Sequence, residues 1–552
     1  MSAHPRSILE TRSGQMFPTL EPAELERLRR FGELQRYAAG ERLVATGEVS
    51  PGLFVILAGE VAISQRSALG YEEAIVTHGP GSFMGELNQL SGRPSLVDAN
   101  ALTAVEAIVI PSSRLRDVLV AEAELGERIM RALILRRVGL LQSGVAGPLI
   151  VGRAGDGAAL RLTGFLARNG QPHQTLDPDT DACARTLVER FHVEPAQLPI
   201  VLCPNGALLR NPTESEVARC IGIVRPIDPA ALYDVAIIGA GPAGLAASVY
   251  AASEGLAVIV LDTRAFGGQA GASARIENYM GFPTGISGMA LMARAFNQAE
   301  KFGAEMAIPD EVVRLRCGGP EARARFELDL ANGERVRTRA VVIASGVRYR
   351  RIDVPNLAAF EGASVHYWAT PIEGKLCAGE EVVLVGAGNS AGQAAVYLAG
   401  QVAKLWLLAR GKSVEATMAR YLVDRIAALP NVEVRVETEV TGLEGQGGAL
   451  EAIRWRHAPS GKEERRPIRH LFLFIGADPH TAWLSPSDVA LDAKGFVRTG
   501  MDLGAGHRPL ETSRAGVFAI GDVRAGSVKR VAAAVGEGAQ VVATLHRYLA
   551  DA

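Results

Sequence analysis

Two glycine-rich turns, each placed directly after a strand-like apolar run, constrain this chain more than any other feature. The first follows the run from Tyr233 to Ile238 and reads Gly239-Ala240-Gly241-Pro242-Ala243-Gly244. In a G-x-G-x-x-G turn the first glycine permits the tight turn, the second lets the backbone approach a pyrophosphate, and the third lets the helix pack on the strand. The next strand ends at Asp262, where a carboxylate can bind a ribose hydroxyl. The pattern predicts a dinucleotide-binding βαβ unit; the alternative is a glycine-rich turn in an ordinary α/β domain.

The second turn follows the strand Glu381 to Val385 and reads Gly386-Ala387-Gly388-Asn389-Ser390-Ala391. Alanine in the third glycine position is an accepted variant. The next strand is followed by Arg410 and Lys412 instead of an acid. Basic residues at this point suit the 2′-phosphate of NADPH. The alternatives are that both are solvated loop charges and that NADH is used instead.

Two dinucleotide sites in one chain imply one bound flavin and one exchangeable nicotinamide. The cofactors inferred from this arrangement are FAD and NADPH, and the inferred chemistry is hydride transfer between them. Hydride transfer needs no acid–base residue, because it depends on how the two rings are positioned.

Length and composition limit the remaining function classes. The 552 residues suggest three or four domains. With 58 basic and 60 acidic residues the net charge is −2, so neither a nucleic-acid partner nor a membrane surface is expected. No apolar run has the length of a membrane span, the N-terminus lacks a signal-peptide core, and no metal site is predicted. The five cysteines are scattered and none forms C-x-x-C, which favours a reducing cytoplasm over a secreted disulfide framework.

From Tyr233 onward the chain resembles the thioredoxin reductase class of pyridine-nucleotide flavoenzymes. Further motifs carry this resemblance: Phe266-Gly267-Gly268-Gln269, Ile276-Glu277-Asn278-Tyr279, Ala344-Ser345-Gly346, Val517-Phe518-Ala519-Ile520-Gly521-Asp522 and Gly536-Glu537-Gly538. The resemblance implies FAD contacts from Gly268, Gln269, Asn278, Gly346, Gly521 and Asp522. It also implies a homodimer and an NADPH domain, residues 346–475, inserted between FAD segments 230–345 and 476–552. Lys529-Arg530 stands where the family commonly has Arg-Gln, and Arg530 is predicted to place positive charge near the flavin.

The chain departs from this family where the redox dithiol should be. Counting back from Gly386, the two cysteine positions fall on Ala369 and Ile372. A relay from flavin to disulfide needs two thiols, so an intrinsic dithiol of the usual kind is not predicted. Cys377 stands alone and is interpreted as a buried structural cysteine. Electrons are expected to pass to a small-molecule or protein acceptor; the alternatives are a non-catalytic redox sensor and a thioredoxin-disulfide reductase that uses a partner's dithiol.

Residues 146–224 resemble a thioredoxin- or glutaredoxin-like domain. Strand-like runs at Leu149 and Ile200 alternate with helix-like runs, and Leu198-Pro199 is similar to that fold's cis-proline entry. The C-x-x-C expected near Arg153-Ala154-Gly155-Asp156 is absent, and Cys203 and Cys220 are interpreted as core residues. The alternative is a generic small α/β domain.

Residues 1–145 resemble a cyclic-nucleotide-binding domain, a β jelly roll with C-terminal helices. Gly81 to Leu87 is similar to its phosphate-binding cassette, in which Gly85, Glu86 and Leu87 would contact a nucleotide and Glu86 would hold a ribose hydroxyl. The arginine expected after Pro94 is replaced by Ser95, and Arg93 is the candidate substitute. A cyclic or other nucleotide is one ligand hypothesis; a docking module without a ligand is the other. The predicted fold class is thus multidomain: a jelly roll, a thioredoxin-like α/β domain and two Rossmann-like FAD and NAD(P) domains.

Overall fold

The computed structural model describes residues 12–66, 72–143, 147–153, 155–273, 275–276, 278–318 and 325–551. Contacts between Cα atoms divide the chain into two compact units. The first contains residues 1–153, 165–226 and 298–309, and the second contains residues 154–164, 227–297 and 310–552. Ala154 and Glu277, which the sequence patterns included, lie outside the described residues.

The N-terminal part of the first unit is built from short strands followed by two helices. Its helices are α1 Ser13–Met16, α2 Pro22–Arg29, α3 Asn88–Ser91, α4 Ser112–Ala121 and α5 Ala123–Ser143. Its strands are β1 Glu33–Tyr37, β2 Arg42–Val44, β3 Leu53–Ala58, β4 Val61–Arg66, β5 Glu72–His78, β6 Phe83–Met84, β7 Asp98–Ala101 and β8 Val105–Ile110. They form two antiparallel sheets with the orders β1-β8-β3-β6 and β2-β7-β4-β5.

Alternation along β3 explains how this region builds two cores. Phe54 and Ile56 point into a cluster that residues of both sheets share, including Val61 and Ala99. Their neighbours Leu53 and Val55 point to the opposite face, where apolar residues of α2, α4 and α5 cover them. Successive side chains of a strand face opposite ways, so a strand that is apolar on both faces must be covered on both.

The next segment alternates strands and helices. Its elements are β9 Leu149–Val151, α6 Gly157–Arg168, β10 Gln174–Leu176, α7 Ala182–Arg190, β11 Ile200–Leu202, β12 Leu208–Arg210 and α8 Glu214–Cys220. The sheet order is β10-β9-β11-β12; β10 is parallel to β9, whereas β11 is antiparallel to both β9 and β12. The Leu198–Pro199 peptide bond is cis, which confirms that prediction.

The prediction of a core position is confirmed for Cys203, whereas Cys220 is only partly buried, and the two cysteines are not unpaired as the sequence had suggested. They form a disulfide with a Cα–Cα distance of 6.3 Å. The tight turn between β11 and β12 and the helix α8 bring together two residues that are 17 positions apart. Sequence spacing alone does not reveal such a pair, because the fold of the intervening segment decides the distance.

The remaining elements begin at β13 Tyr233–Ile238. The helices are α9 Pro242–Ser253, α10 Gly268–Gly271, α11 Gly288–Lys301, α12 Leu357–Phe360, α13 Pro371–Leu376, α14 Asn389–Ala399, α15 Arg420–Ala427 and α16 Val531–Asp551. The strands up to the second glycine turn are β14 Val258–Leu261, β15 Glu305–Ala307, β16 Val312–Cys317, β17 Phe326–Leu330, β18 Arg335–Ile343, β19 Val347–Tyr349, β20 Val365–His366 and β21 Glu381–Val385. Those after it are β22 Lys404–Leu408, β23 Val432–Arg435, β24 Thr438–Gln446, β25 Ala449–His457, β26 Glu463–Arg466, β27 His470–Leu473, β28 Ala477–Pro479 and β29 Val517–Ala519.

The second unit contains two sheets that each carry one glycine turn. One has the order β14-β13-β18-β17-β16, with β29 beside β18, and the other is parallel with the order β20-β27-β21-β22-β23. Chain segments before and after the second sheet contribute to the first, as an inserted domain requires. A three-stranded sheet β24-β25-β26 and the pair β19-β28 complete the strands.

The described part of the chain contains neither a helix that could span a membrane nor a cluster of metal-ligating side chains. None of its helices combines the length and the apolar character that a membrane span requires. Within the same residues, no group of three or more His, Cys, Asp or Glu side chains is arranged to hold a metal ion.

Candidate functional site

The first glycine turn connects β13 to α9 and leaves no room for a side chain at Gly239 or Gly244. A Cβ atom on Gly244 would lie 1.9 Å from the carbonyl oxygen of Gly239, and one on Gly239 would lie 2.2 Å from the carbonyl oxygen of Ala344. Gly239 also has a φ of 112°, which favours glycine. Gly241 is the N-cap of α9 and Pro242 is its first residue. The turn can therefore keep this conformation only with glycine at positions 239 and 244.

Gly241 faces an open space, which fits the close approach of a pyrophosphate. Within 4 Å its Cβ would meet only the Cα of Gly268, at 3.9 Å. As an N-cap residue without a side chain, it leaves the first amides of α9 uncapped by a side-chain oxygen. Uncapped amides and the positive end of the helix dipole are the features that bind phosphate groups. The residues of this turn thus fit the FAD that the sequence predicts.

Asp262 at the end of β14 is held by backbone amides. Its Oδ2 accepts a hydrogen bond from Ala240 N at 2.8 Å, and its Oδ1 accepts one from Arg264 N at 3.2 Å. Burial raises the pKa of this carboxyl, and the amide hydrogen bonds act against that shift. Gly267 N donates to Ala240 O at 2.7 Å, so the predicted flavin loop lies against the glycine turn.

The C-terminal motif reaches the same place from the other end of the chain. A Cβ on Gly521 would lie 2.9 Å from the Cβ of Ala243, which places this motif beside the first turn of α9. Burial raises the pKa of the neighbouring Asp522. Gln269 Nε2 donates to Val347 O at 3.0 Å, next to Gly346, and so links the flavin loop to the start of β19. The structure therefore brings the motifs at residues 239–244, 262, 267–269, 346 and 521–522 together.

Three predicted FAD residues have exposed side chains. Asn278 is exposed, and Arg530 is exposed and donates to Lys529 O at 3.0 Å. The Lys529 ammonium donates to Asp522 O and lies 4.7 Å from the centroid of the Phe496 ring. Lys529 thus fixes the Asp522 backbone.

Glu537 is a functional residue whose role the sequence did not reveal. Its Oε2 accepts from Gly521 N at 2.6 Å, and its Oε1 pairs with the guanidinium of Arg524 at 2.5 Å. The carboxylate therefore holds the Gly521 turn in place from α16. The Gly536-Glu537-Gly538 motif indicated this region, but only the folded structure shows the partner.

The second glycine turn connects β21 to α14. A Cβ on Gly386 would lie 2.5 Å from the carbonyl oxygen of Phe474 and 2.9 Å from the Cβ of Ala391, whereas one on Gly388 would meet no protein atom within 4 Å. Asn389 Oδ1 accepts from Ala419 N at 2.7 Å, so it anchors the segment before α15 instead of pointing away from the protein. Ser390, Arg410 and Lys412 are exposed. The open face at Gly388 and the exposed cations after β22 fit an exchangeable NADPH.

The position of the missing dithiol lies beside the flavin loop. Ala369 forms a parallel β-bridge with Ser273, which follows the short helix α10. Buried Glu373 of α13 fixes the local backbone, because its carboxylate accepts from Thr370 N and from the Trp368 indole N–H, each at 3.0 Å. Ile372 belongs to α13. The family's place for two thiols thus holds a hydrogen-bonded helix start with no sulfur.

Cys377 is fully buried, and burial raises the pKa of its thiol to about 12. A thiol with such a pKa is almost entirely protonated at neutral pH, whereas the thiolate is the reactive form. We expect Ellman's reagent to label the exposed Cys183 in the folded protein and to leave Cys377 unlabelled. Peptide mapping checks this, with the unfolded protein as the control that labels both. Fast labelling of Cys377 in the folded protein would contradict its assignment as a structural residue.

The N-terminal cassette is bonded internally. Glu86 Oε1 accepts from Ser95 Oγ at 2.5 Å and from Leu96 N at 2.8 Å. Arg93, the candidate substitute for the missing arginine, forms a buried ion pair with Glu300 at 3.4 Å. Gly85 O accepts a hydrogen bond from Arg136 Nη1 at 3.0 Å, and Leu87 is the N-cap of α3.

Comparisons with known proteins agree with the two nucleotide sites. The model of the family "Pyridine nucleotide-disulphide oxidoreductase" matches residues 233–538, and that of the cyclic nucleotide-binding domain matches residues 34–122. Thioredoxin reductase from Mycolicibacterium smegmatis is 31% identical over 320 residues, which cover 58% of this chain and 97% of that protein. Thioredoxin reductase from Bacillus subtilis (strain 168) is 30% identical over 324 residues, which cover 58% of this chain and 96% of that protein.

Solved structures give the same result. The crystal structure of T. acidophilum thioredoxin reductase superposes with a TM-score of 0.50 and 26% identity, covering 57% of this chain and 98% of that one. The two nucleotide sites are those of an NAD(P)H-dependent flavoprotein oxidoreductase with FAD and NADPH as cofactors. Through residues 233–538, more than half of its length, the chain belongs to the pyridine nucleotide-disulphide oxidoreductase family.

Proposed function

We propose that this protein oxidises NADPH and delivers the electrons to an acceptor that approaches the flavin directly, without a dithiol in the NADPH domain. The observation that carries the proposal is the position of Ala369. It lies against the loop after α10, at the family's dithiol position, and has no thiol. When bound, FAD supplies the chemistry, since it accepts a hydride from NADPH. The acceptor is a small molecule or a protein.

The chain's own residues bind and position the two nucleotides. Backbone amides at Gly241 and Gly388 approach the two pyrophosphates, and Asp262 and Asp522 contact the sugar and ribityl hydroxyls. Arg410 and Lys412 attract the 2′-phosphate of NADPH. Gly388 is extended, with φ −91° and ψ 179°, a conformation that any residue can adopt. Glycine is therefore needed here only because a side chain would fill the space that the pyrophosphate requires, and this supports the proposed role.

Mixing the protein with NADPH under anaerobic conditions tests the proposal. We expect bleaching of the flavin absorbance within a second in a stopped-flow instrument. The Gly388→Val variant should bind FAD normally. The NADPH concentration that gives half of the maximal rate of flavin bleaching should rise about tenfold to a hundredfold. The reason is that a side chain at this position blocks hydrogen bonds to a charged phosphate, each of which contributes about 1.5–3 kcal/mol.

A matched control uses the other end of the same helix. Gly400 is the C-cap residue of α14, and its Cβ would lie 3.6 Å from Tyr397 O, an ordinary contact. Gly400→Val should therefore leave the NADPH dependence unchanged. FAD-containing protein that NADPH fails to bleach would overturn the enzyme proposal and favour the non-catalytic sensor.

The Cys203–Cys220 disulfide favours a second candidate function, thiol–disulfide chemistry outside the NADPH domain. In reducing compartments a disulfide is usually transient and catalytic or redox-sensing. Cys203 is buried and Cys220 is partly exposed, so Cys220 is the more accessible of the two residues to an incoming thiol. The net reaction consumes one NADPH and one proton and converts the disulfide into two thiols. A partner's disulfide would satisfy the same stoichiometry.

Counting thiols after NADPH treatment separates this candidate from the first. Anaerobic NADPH followed by alkylation and mass spectrometry should add two alkyl groups, at Cys203 and Cys220. The Cys203→Ser/Cys220→Ser protein is the control and should gain none. Complete flavin bleaching with no new thiols, together with zero turnover on oxidised thioredoxins, would remove the second candidate while leaving the first intact.

The proposal also includes the domain division 1–145, 146–224, 230–345, 346–475 and 476–552. Two four-stranded antiparallel sheets support a jelly roll in the first segment. The order β10-β9-β11-β12 with one antiparallel strand, together with the cis bond before Pro199, supports a thioredoxin-like second segment. Gly157 N donates to Gly447 O at 3.1 Å, so the start of α6, where a redox motif would stand, is already in contact with protein. A cytoplasmic location and a homodimer remain part of the proposal.

A further inference from the structure

A partly open cavity lies within the N-terminal β-sheets. Its volume is about 80 Å³, and β2, β3, β4, β5, β6, β7, α5 and neighbouring residues line it. Most of the lining is apolar, including Val44, Phe54, Ile63, Met84, Val97 and Leu140. A mostly apolar cavity suits a small apolar molecule, since a fully apolar cavity of about 150 Å³ binds benzene.

The two arginines that could bind a cyclic phosphate, Arg136 and Arg93, are bonded to other protein groups. Arg136 is the only Lys or Arg among the described residues that line the cavity, and its guanidinium donates to the carbonyl oxygens of Met16, Phe83 and Gly85 at 2.9–3.0 Å. Arg93 does not line the cavity and pairs with Glu300. Recognition of a phosphate depends largely on charge-assisted hydrogen bonds, which this wall does not offer.

His78 adds no positive charge to that of Arg136. It lines the cavity, and burial lowers its pKa to about 3, so the imidazole is neutral near pH 7. A phosphate anion would therefore face mostly apolar side chains, a neutral ring, acceptor oxygens and one guanidinium that already donates to three carbonyl oxygens. Transfer of an unpaired phosphate into such surroundings is strongly unfavourable.

Two buried acceptor atoms in the same wall lack a partner in the structure. They are Glu86 Oε2 and Gln89 Oε1. The rest of each side chain is fixed: Glu86 Oε1 accepts from Ser95 and Leu96, and Gln89 Nε2 donates to Ser50 Oγ and Gly52 O at 3.0 and 2.7 Å. A buried polar atom without a partner costs about 1–3 kcal/mol, which a donating ligand would offset.

We propose that this cavity binds an uncharged, mostly apolar molecule of the phenol class, whose hydroxyl donates its one hydrogen bond to Glu86 Oε2, in place of a cyclic nucleotide. Burial raises the pKa of the Glu86 carboxyl, and the hydrogen bonds from Ser95 and Leu96 act against that shift. The proposal concerns the N-terminal domain alone, so it stands or falls independently of the electron acceptor.

Calorimetric titration of the FAD-loaded full-length protein tests this with three probes: phenol, benzene and cyclic AMP. Phenol should bind, benzene should bind about tenfold more weakly because it lacks the hydroxyl, and cyclic AMP should give no heat of binding. Tighter binding of cyclic AMP than of phenol would overturn the proposal, as would an absence of phenol binding.

Two variants locate the site. Ala99 is buried and lines the cavity, so Ala99→Leu should fill the space and abolish phenol binding. Glu86→Gln should weaken phenol binding, because the hydroxyl can no longer donate at the Oε2 position. The Leu96 amide donates to Oε1, so the amide oxygen of glutamine must take that place and its NH2 group must replace Oε2, which turns an acceptor into a donor.

Circular dichroism checks that both variants fold. Unchanged phenol affinity in Ala99→Leu would place the binding elsewhere and reject the proposal. If Ala99→Leu does not fold, Glu86→Gln decides: an affinity for phenol equal to that of the wild-type protein would equally reject it.

Discussion

Gly244→Ala is expected to yield a protein that no longer retains FAD, although alanine (Ala391) occupies the corresponding position of the second turn. The added Cβ would lie 1.9 Å from the carbonyl oxygen of Gly239, and backbone cannot move aside as the end of a long side chain can. The turn between β13 and α9 must therefore open, and the amides that approach the pyrophosphate move with it. Overpacking costs about 1–3 kcal/mol, and the short contact with backbone places this substitution at about 3 kcal/mol, which corresponds to about a hundredfold weaker FAD binding.

The ratio of flavin absorbance to protein absorbance after purification measures this effect. Gly536→Ala is the matched control, because Gly536 lies in α16 of the same domain and its Cβ would meet no protein atom within 4 Å. That variant should retain FAD and gain slightly in stability, since alanine favours a helix by about 1 kcal/mol over glycine. A Gly244→Ala protein with the full flavin content would contradict the proposed role of this turn.

Gly538 extends the same reasoning to the helix at the other end of the chain. Its Cβ would lie 2.6 Å from Ala243 O and 2.7 Å from the Cβ of Ala246, so α9 and α16 pack with almost no space between them. Glu537 on the neighbouring position of α16 holds Gly521 N. The FAD turn is thus supported by a helix that is distant in the sequence, which explains why one part of the site could be predicted and its support could not.

The parts of the site that sequence reasoning predicted are local. Each glycine turn is specified within six residues, because the tight turn, the phosphate approach and the helix–strand contact all require glycine or alanine there. The same is true of the strand that ends at Asp262. Local constraints of this kind are visible without knowing the rest of the fold.

What the sequence missed depends on distant partners. Nothing near Cys203 in the sequence indicates Cys220, and nothing near Arg93 indicates Glu300, yet each pair is in contact in the folded chain. Arg136 belongs to a helical tract in which charged residues are usually solvated, but it is buried. The position of a charged residue in an amphipathic helix pattern does not reveal whether buried carbonyl groups from distant segments need it as a hydrogen-bond donor.

Arg136→Met is expected to destabilise the N-terminal unit by about 3 kcal/mol or more. Three carbonyl groups, those of Met16, Phe83 and Gly85, would lose their donor, and a buried acceptor without a partner costs about 1–3 kcal/mol. The guanidinium also lies 5.3 and 4.7 Å from the centroids of the Phe17 and Phe83 rings. Burial lowers the pKa of Arg136 to about 9, so it is still charged at neutral pH, and methionine removes the charge along with the hydrogen bonds.

Arg131→Met is the matched control, because Arg131 lies on the same helix, is exposed and pairs with nearby Glu127. Surface pairs of this type contribute about 0–1 kcal/mol, so this variant should melt like the wild-type protein.

All four tryptophans, Trp368, Trp406, Trp455 and Trp483, belong to the second unit. Tryptophan fluorescence therefore reports the second unit, and limited proteolysis at sites before residue 143 reports the first. For Arg136→Met we expect faster cleavage of the first unit at a temperature where the tryptophan signal is unchanged; equal cleavage of the two variants would show that the carbonyl groups find other donors.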